Sequence, residues 1–140
     1  IKVTIHAGES KDICSERNIL DAVKKLQASR IGHGIQCYRD PEVLKFVVDN
    51  QIPLEVCPTS NILTGAVNSI EEHPIRKLID AGAYVTISSD DPGIFNQNTL
   101  EDYELLLSKK ILTEAELREC SNKAAKASFI DQKKVDKVWK

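Results

Sequence analysis

Short β-branched runs alternate with helical patterns along this chain, and the alternation occurs four times. The predicted strands cover residues 2–5, 30–31, 53–56 and 84–87. Apolar residues three or four positions apart predict helices over residues 16–27, 41–50, 74–81 and 100–107, with a further helix over residues 113–129. Strands that alternate with helices form parallel sheets with right-handed crossovers, so the pattern predicts an α/β fold.

Several predicted helices carry recognisable ends. Asp40 precedes Pro41, which is the usual order of an N-cap and a first helical residue. Thr113 and Glu116 match a capping box, and Gly82 follows the helix of residues 74–81 as a C-terminal glycine often does. The charged tail, residues 131–140, is expected either to fray or to form one last short helix.

Two architectures fit this alternation, an open doubly wound sheet and part of a (β/α)8 barrel. The motifs HAGE, GHG, CPTSN and SDDP follow the four predicted strands in turn. Because the carboxyl ends of parallel strands lie on one face, and that face is catalytic in barrels, the motifs favour the barrel. We expect one mouth to collect the polar residues His6, Glu9, His33, Ser60, Asn61, Asp90 and Asp91.

Each of these motifs also has a purely structural explanation. The glycines around His33 suit a turn, Ser60 and Asn61 suit a helix cap or an Asx-turn, and Asp90 and Asp91 suit the cap of a following helix. Four consecutive strand ends with such groups are nevertheless hard to explain by turns alone. The opposite ends, near KKLQAS, VDNQ and IDAGA, carry no histidine and no paired acids.

Composition narrows the function classes. The 140 residues are 41% hydrophobic and 29% charged with a net charge of −2, which fits one globular domain and gives no basic patch for nucleic acid. No apolar run is long enough to cross a membrane. The four cysteines form no CxxC pair, so we expect free thiols in a reducing compartment, with Cys57 buried and the protein in the cytoplasm.

The residue types at the mouth favour a metal-assisted reaction. His6 and Asp90 are good zinc ligands, and a catalytic zinc needs about three protein ligands plus a water. Glu9 lies three residues beyond His6, so its side chain can face a substrate instead of the metal. Asp90 and Asp91 are adjacent like charges, which are tolerable if a cation offsets one and substrate hydrogen bonds occupy the other.

The motifs HAGE, RIGHG, EVCPTSN, LTGAV…HP and SSDDPGIF resemble the adenosine deaminase family, in that family's order and over all 140 residues. The resemblance implies the C-terminal half of a (β/α)8 TIM barrel of the amidohydrolase type, Zn²⁺ as cofactor and deamination of adenosine to inosine and ammonia. It implies that His6 and Asp90 bind zinc, that Glu9 protonates purine N1 and that His33 deprotonates or positions the attacking water. By the same resemblance Asp91 binds the purine near N7 and Gly8 shapes the pocket.

One family motif is absent. The family's other two zinc ligands form an H-x-H on its first strand, whereas this chain has only His6, His33 and His73, none of them so spaced. His73 precedes Pro74 and is interpreted as a residue at a helix start. A complete barrel of this kind has about 250 residues, so we interpret residues 1–140 as a single partial domain.

The absent motif leaves alternatives for function. In the first alternative, this chain supplies part of a deaminase active site and is inactive alone. Its substrate is then a purine nucleoside, and its protein partner is the missing N-terminal half of the barrel or a second copy of the chain. In the other, it is a non-catalytic half-barrel module that associates or binds nucleoside without turnover. Adenine or a nucleotide remains an alternative substrate.

Overall fold

A four-stranded parallel sheet organises the computed structural model, which describes residues 1–139. The strands are β1 (Thr4–Ala7), β2 (Arg30–His33), β3 (Leu54–Val56) and β4 (Val85–Ile87). They are ordered β1-β2-β3-β4, and each neighbouring pair is parallel. The prediction of four parallel strands alternating with helices is confirmed, although β2 extends two residues beyond the predicted range and reaches His33 itself.

Helices connect the strands and follow the last one. They are α1 (Arg17–Lys24), α2 (Pro41–Asp49), α3 (Pro58–Leu63), α4 (Ile75–Asp80), α5 (Pro92–Phe95), α6 (Thr99–Ser108), α7 (Glu114–Ala127) and α8 (Gln132–Val138), with a 3-10 helix at Ile35–Arg39. Of the two alternatives for the tail, the short helix is observed as α8; residue 140 lies outside the described residues.

The predicted helix ends are confirmed. The Asp40 carboxylate accepts hydrogen bonds from the backbone N–H groups of Glu42 and Val43 at the start of α2. Thr113 and Glu116 form the capping box of α7. Gly82 follows α4 with a φ of +84°, a conformation in which glycine is favoured.

Two short helices were not predicted. The segment of α3 had been interpreted as a cap or an Asx-turn around Ser60 and Asn61. For Asp90 and Asp91 the structural alternative was the cap of a following helix, but the next predicted helix covered residues 100–107 and not α5. Both short helices begin with proline at the first helical position. They have four or six residues, which is too short for an apolar period to repeat, so hydrophobic periodicity cannot detect them.

The sheet has one apolar and one polar face. Ile31, Leu54, Val56 and Val85 are fully buried in the hydrophobic core with residues of the surrounding helices. Alternate positions carry polar side chains, among them an Arg30–Glu55 ion pair with Nε and Oε1 2.9 Å apart. Because strand side chains alternate with a period of two, the apolar side chains face the core, whereas His6 and the charged side chains lie on the other face. The C-terminal end of α7 contacts that second face, where the Ala127 carbonyl accepts a 3.0 Å hydrogen bond from Arg30.

No helix within residues 1–139 combines the length and apolar character needed to cross a membrane.

Candidate active site

Three strand ends bring His6, His33 and Asp90 together. His6 lies in β1 and His33 ends β2, and their ring centroids are 4.3 Å apart. Asp90 follows β4, and its Oδ2 lies 3.8 Å from His33 Nε2. The predicted convergence is therefore observed for these residues. His6 has a largely exposed side chain on the open face of the sheet, whereas that of His33 is buried.

The backbone is left-handed at the same strand ends. The φ angles are +70° at Gly8, +63° at His33 and +60° at Asp90. A Cβ atom at Gly8 would lie 2.5 Å from Ile19 Cδ1, so this position requires glycine for space as well as for conformation. Gly8 lets the chain turn sharply after β1 and deliver Glu9 to the site.

Glu9 lies at the centre of the polar cluster. Its Oε2 is 2.9 Å from His6 Nε2, and its Oε1 accepts hydrogen bonds from Asn61 Nδ2 at 2.9 Å and Thr64 Oγ1 at 3.0 Å. His33 Nδ1 lies 3.7 Å from Oε1. The carboxylate is thus held from two sides and has a fixed orientation.

Helix α3 contributes Ser60 and Asn61, both fully buried. Ser60 Oγ donates a 2.7 Å hydrogen bond to Asp90 Oδ2, which fixes that carboxylate beside His33. Asn61 Nδ2 contacts both Glu9 and His33 Nδ1, the latter at 3.0 Å. Both residues therefore join the predicted mouth, through a helix and not through a loop.

Asp91 is placed differently from its neighbour. It is the N-cap of α5, and its Oδ1 accepts a hydrogen bond from the Ile94 N–H at 3.2 Å. Its side chain is exposed, and Asp90 and Asp91 therefore serve separate partners. The structural alternative for Asp91, a helix cap, is observed in this structure, and its role towards a purine is a proposal taken up below.

Burial controls the protonation of the inner groups. Desolvation lowers the pKa of His33, and the Glu9 carboxylate partly opposes this shift. Burial likewise raises the pKa of the Cys57 thiol, which donates to the Glu55 carbonyl at 3.3 Å. A thiol with a raised pKa is a poor metal ligand because the thiolate is the ligating form. Cys57 is buried as predicted.

The arrangement of donors suits a metal ion. One donor atom each from His6, Glu9 and His33 lie within 4.8 Å of one another, as do donor atoms of His33, Cys57 and Asp90. Imidazole nitrogen and carboxylate oxygen are zinc ligands. The predicted ligands His6 and Asp90 fall in different groups, and within residues 1–139 no group contains both. Each shares its group with His33, and the donor types of the two residues fit part of a zinc site.

Further residues support the cluster and were not predicted from the sequence. The Gln36 side chain is buried and donates to the Glu9 carbonyl at 2.9 Å. His73, interpreted only as a residue at a helix start, is buried and contacts Asn61. Thr64 reaches Glu9 from beyond α3. Gln36 left one signal, as a polar residue two positions after the GHG motif. Thr64 and His73 lie in the LTGAV…HP motif, which supported the family resemblance but was given no site role.

Comparison with known proteins identifies the family of this fold. The adenosine deaminase family model matches residues 1–140. An adenosine deaminase of Plasmodium knowlesi is 40% identical over 140 residues, covering 98% of this chain and 39% of that protein.

Two solved structures are also similar. An adenine deaminase from Arthrobacter aurescens superimposes with a TM-score of 0.90 at 29% identity, over 97% of this chain and 41% of that one. An amidohydrolase from Burkholderia ambifaria, with bound Zn, has a TM-score of 0.84 at 26% identity, over 98% of this chain and 38% of that one.

These matches settle the architecture. The chain spans about 40% of the length of the relatives it matches. Its neighbours are TIM-barrel amidohydrolases, which confirms the prediction of half a (β/α)8 barrel.

Proposed function

The chain belongs to the adenosine deaminase family, and on that premise we propose that it supplies part of the active site of an enzyme that hydrolyses adenosine to inosine and ammonia. The grouping of His6, Glu9, His33 and Asp90 at the carboxyl ends of parallel strands carries the proposal. Residues 1–140 are proposed to be one partial domain, whose partner is the remainder of the barrel.

Zinc is the proposed metal, with His6 and Asp90 as the ligands from this chain. When bound, zinc acts as a Lewis acid that brings the pKa of a water molecule near neutrality. His6 and Asp90 come from the first and the last strand, on either side of His33. The hydrogen bond from Ser60 to Asp90 Oδ2 orients the second ligand, as partners of metal ligands commonly do.

Glu9 is proposed as the general acid that protonates purine N1. Its Oε1 already accepts two hydrogen bonds, from Asn61 and Thr64. Its Oε2 points towards His6, on the open face of the sheet, and is the oxygen with a path to substrate. Protonation at N1 makes the neighbouring C6 more electrophilic, so water adds there and ammonia leaves.

His33, Asp91 and Gly8 complete the proposed assignment. His33 holds or accepts a proton of the attacking water, and its burial beside Asp90 gives it a fixed position for that role. Asp91 binds the purine near N7, using the exposed carboxyl group at the start of α5. Gly8 shapes the pocket, because its φ of +70° lets the chain turn after β1 and bring Glu9 to the site.

Adenine is the second candidate substrate. The specific observation in its favour is the similarity to a solved adenine deaminase, with a TM-score of 0.90. The two substrates differ by a ribose, and a protein that binds the ribose releases inosine whereas one that excludes it releases hypoxanthine. Product identity therefore separates the two.

The test uses the full-length protein that contains this chain, loaded with zinc. Adenosine, adenine and AMP are each supplied, and deamination is followed by ultraviolet absorbance with metal content measured in parallel. We expect adenosine to be turned over fastest, and His6→Ala to lose both metal and activity. A protein that deaminates none of the three with zinc bound would overturn the proposal and favour a non-catalytic module.

Two further variants test the proposed roles of the side chains. Glu9→Gln and His33→Ala are expected to keep zinc and to lower kcat by roughly 100- to 10,000-fold, because general acid–base steps contribute about that much. Glu104→Gln, an exposed residue of α6, is the matched control and should leave kcat unchanged. Near-full turnover by either site variant with zinc bound would contradict the assigned role.

A further inference from the structure

A buried polar chain lies behind the candidate site and links His73 to Glu9 and His33 through Asn61. Asn61 is fully buried and His73 is 4% exposed. His73 Nε2 lies 3.2 Å from Asn61 Oδ1, and Asn61 Nδ2 contacts Glu9 and His33. Buried polar groups need hydrogen-bond partners. In this chain of residues, every donor meets an acceptor only for one orientation of the Asn61 amide and one proton position on each histidine ring.

The direction of the chain follows from one backbone group. The Ile75 N–H can only donate, and it donates to His73 Nδ1 at 3.1 Å. Burial lowers the pKa of His73 to about 4, so its ring is neutral near pH 7 and carries its one proton on Nε2. That proton is donated to Asn61, so the Asn61 atom facing His73 is the carbonyl oxygen.

The Asn61 amide nitrogen therefore faces the site with both of its hydrogens. It donates one to Glu9 Oε1 at 2.9 Å and one to His33 Nδ1 at 3.0 Å. His33 Nδ1 must then be unprotonated, and the neutral ring carries its proton on Nε2. Nε2 is the atom that faces Asp90.

We propose that Asn61, oriented by His73, is a positioning residue for His33 and Glu9. It makes neutral His33 carry its proton on Nε2, towards Asp90, and it occupies Glu9 Oε1, so that Oε2 is the oxygen that transfers the proton. This inference rests on the proposed deaminase function. It deepens that function by selecting one of the two roles given to His33. With Nδ1 occupied by Asn61 and Nε2 protonated, the neutral ring donates a hydrogen bond to the attacking water and does not accept its proton. Asn61 and His73 act through Glu9 and His33 and need no contact with substrate.

The first test reads the proton positions directly. Two-bond ¹H–¹⁵N correlation spectra of the full-length protein, labelled with ¹⁵N-histidine, distinguish the Nδ1–H and Nε2–H forms of each ring. The spectra are recorded near pH 8 with and without zinc, and the His33→Gln variant identifies the His33 signal. We expect Nε2–H for both His33 and His73, and an Nδ1–H form of His33 would overturn the proposal.

The second test measures turnover in matched variants. Asn61→Asp replaces a donor with a group that only accepts, so we expect kcat to fall by roughly 10- to 100-fold, as changes to supporting partners commonly do. KM should stay within about threefold, because the residue does not touch substrate. Asn50→Asp, an exposed asparagine at the C-terminal end of α2, is the control and should change neither constant.

Substitutions of His73 separate positioning from packing. His73→Phe keeps the ring but removes the donor to Asn61, and we expect kcat to fall by about tenfold. His73→Gln retains an N–H donor and should recover most of that loss. Equal losses in the two variants would overturn the positioning role.

The failures of the two proposals remain distinguishable. An unaltered protein that deaminates no purine would overturn the proposed function, whatever the spectra show. An active protein whose His33 carries its proton on Nδ1 would overturn the positioning role alone. Because the proton positions are measured in the unaltered protein and His33→Gln serves only to assign one signal, the positioning role is tested even where the Asn61 or His73 variants fail to fold.

Discussion

The backbone at His33 and Asp90 is left-handed although neither residue is glycine. A non-glycine residue in this conformation costs on the order of 1–3 kcal/mol and persists only where its surroundings fix it. At His33 the next N–H, that of Gly34, donates to the Ala7 carbonyl of the neighbouring strand. At Asp90 the hydrogen bond from Ser60 fixes the side chain. These two residues are proposed active-site residues, where such strain is commonly found. Five other non-glycine residues with positive φ lie outside the site: Cys14, Gln27, Gln51, Asn96 and Lys110.

Acid is expected to destabilise the protein through His73. Burial lowers the pKa of His73 to about 4 from its ordinary value of 6.5. Between pH 6.5 and pH 4, His73 is therefore protonated in the unfolded chain but largely neutral in the folded chain. The free energy of unfolding therefore falls as pH falls from 6.5 towards 4. At pH 5 the loss from this residue is about 2 kcal/mol.

Urea unfolding of the full-length protein at pH 7.5 and pH 5 measures this loss. In His73→Gln, which cannot titrate, the difference between the two pH values should be smaller by about 2 kcal/mol. The same pH dependence in both proteins would show that His73 is not buried as a neutral ring.

At the scale of elements, α4 and α7 are joined by one carboxylate. Glu116 accepts hydrogen bonds from the Thr113 N–H and hydroxyl, both at 2.8 Å, and pairs with Arg76 of α4 at 2.7 Å. The two Thr113 hydrogen bonds and the Arg76 guanidinium together lower the pKa of Glu116 to about 2. The capping box therefore also anchors α7 to the preceding βα unit.

Removal of this carboxylate should weaken the anchoring. Glu116→Ala is expected to lower the free energy of unfolding by about 1 kcal/mol, the usual cost of losing a helix cap. Glu119→Ala, an exposed position one turn further along α7, is the control and should cost less than half as much. Equal effects of the two substitutions, measured by thermal or urea unfolding, would contradict the anchoring role.

Elements with a repeating apolar pattern or a cap were predictable from the sequence. The helices at Pro41–Asp49 and Glu114–Ala127 were both predicted, and their caps at Asp40 and Thr113 are observed. The short helix at Pro58–Leu63 was not predicted, because its residues Ser60 and Asn61 are buried by contacts with distant strand ends. Such contacts leave no local pattern.

At the scale of the molecule, the sheet has two edges and one open face. Within residues 1–139, β1 and β4 each pair with a strand on one side only, and the face that carries His6 is open. Unpaired strand edges promote association, and barrels remove them by closure. This chain spans about 40% of the length of its relatives. In those proteins, the rest of the chain is long enough to supply the other strands of a closed barrel.

The isolated 140-residue chain is expected to bind zinc weakly and to convert no measurable adenosine, even with added zinc. It supplies two proposed ligands, His6 and Asp90, where a catalytic zinc needs about three. Addition of a separately expressed N-terminal part that carries the family's H-x-H should restore metal binding and some activity. Absorbance loss and metal analysis measure both effects.

The His6→Ala variant is the control for that experiment. Activity of the isolated chain that survives His6→Ala would show that the metal assignment is wrong. Activity that disappears in this variant would show that other groups, such as His73 or a second copy of the chain, complete the site.

The candidate site was predictable only in part. The polar residues of HAGE, GHG and SDDP could be placed at one mouth because parallel strands share a direction. The hydrogen-bond chain could not be predicted, since His73, Asn61, Glu9 and His33 lie up to 64 positions apart (73 − 9), and their contacts arise from the tertiary fold. Separate roles for Asp90 and Asp91 were predicted from the sequence, and the structure adds that Asp91 caps α5.

The strand order β1-β2-β3-β4 also has a consequence for biosynthesis. Within residues 1–139, each strand after β1 pairs with the strand that precedes it in the chain. The strand with which each new βα unit pairs has therefore already been synthesised when that unit leaves the ribosome. Translation proceeds at about 5–20 residues per second, which gives each unit on the order of seconds to pair before the next emerges. We therefore expect this sheet to grow in one direction during synthesis, with its newest strand as the template for the next.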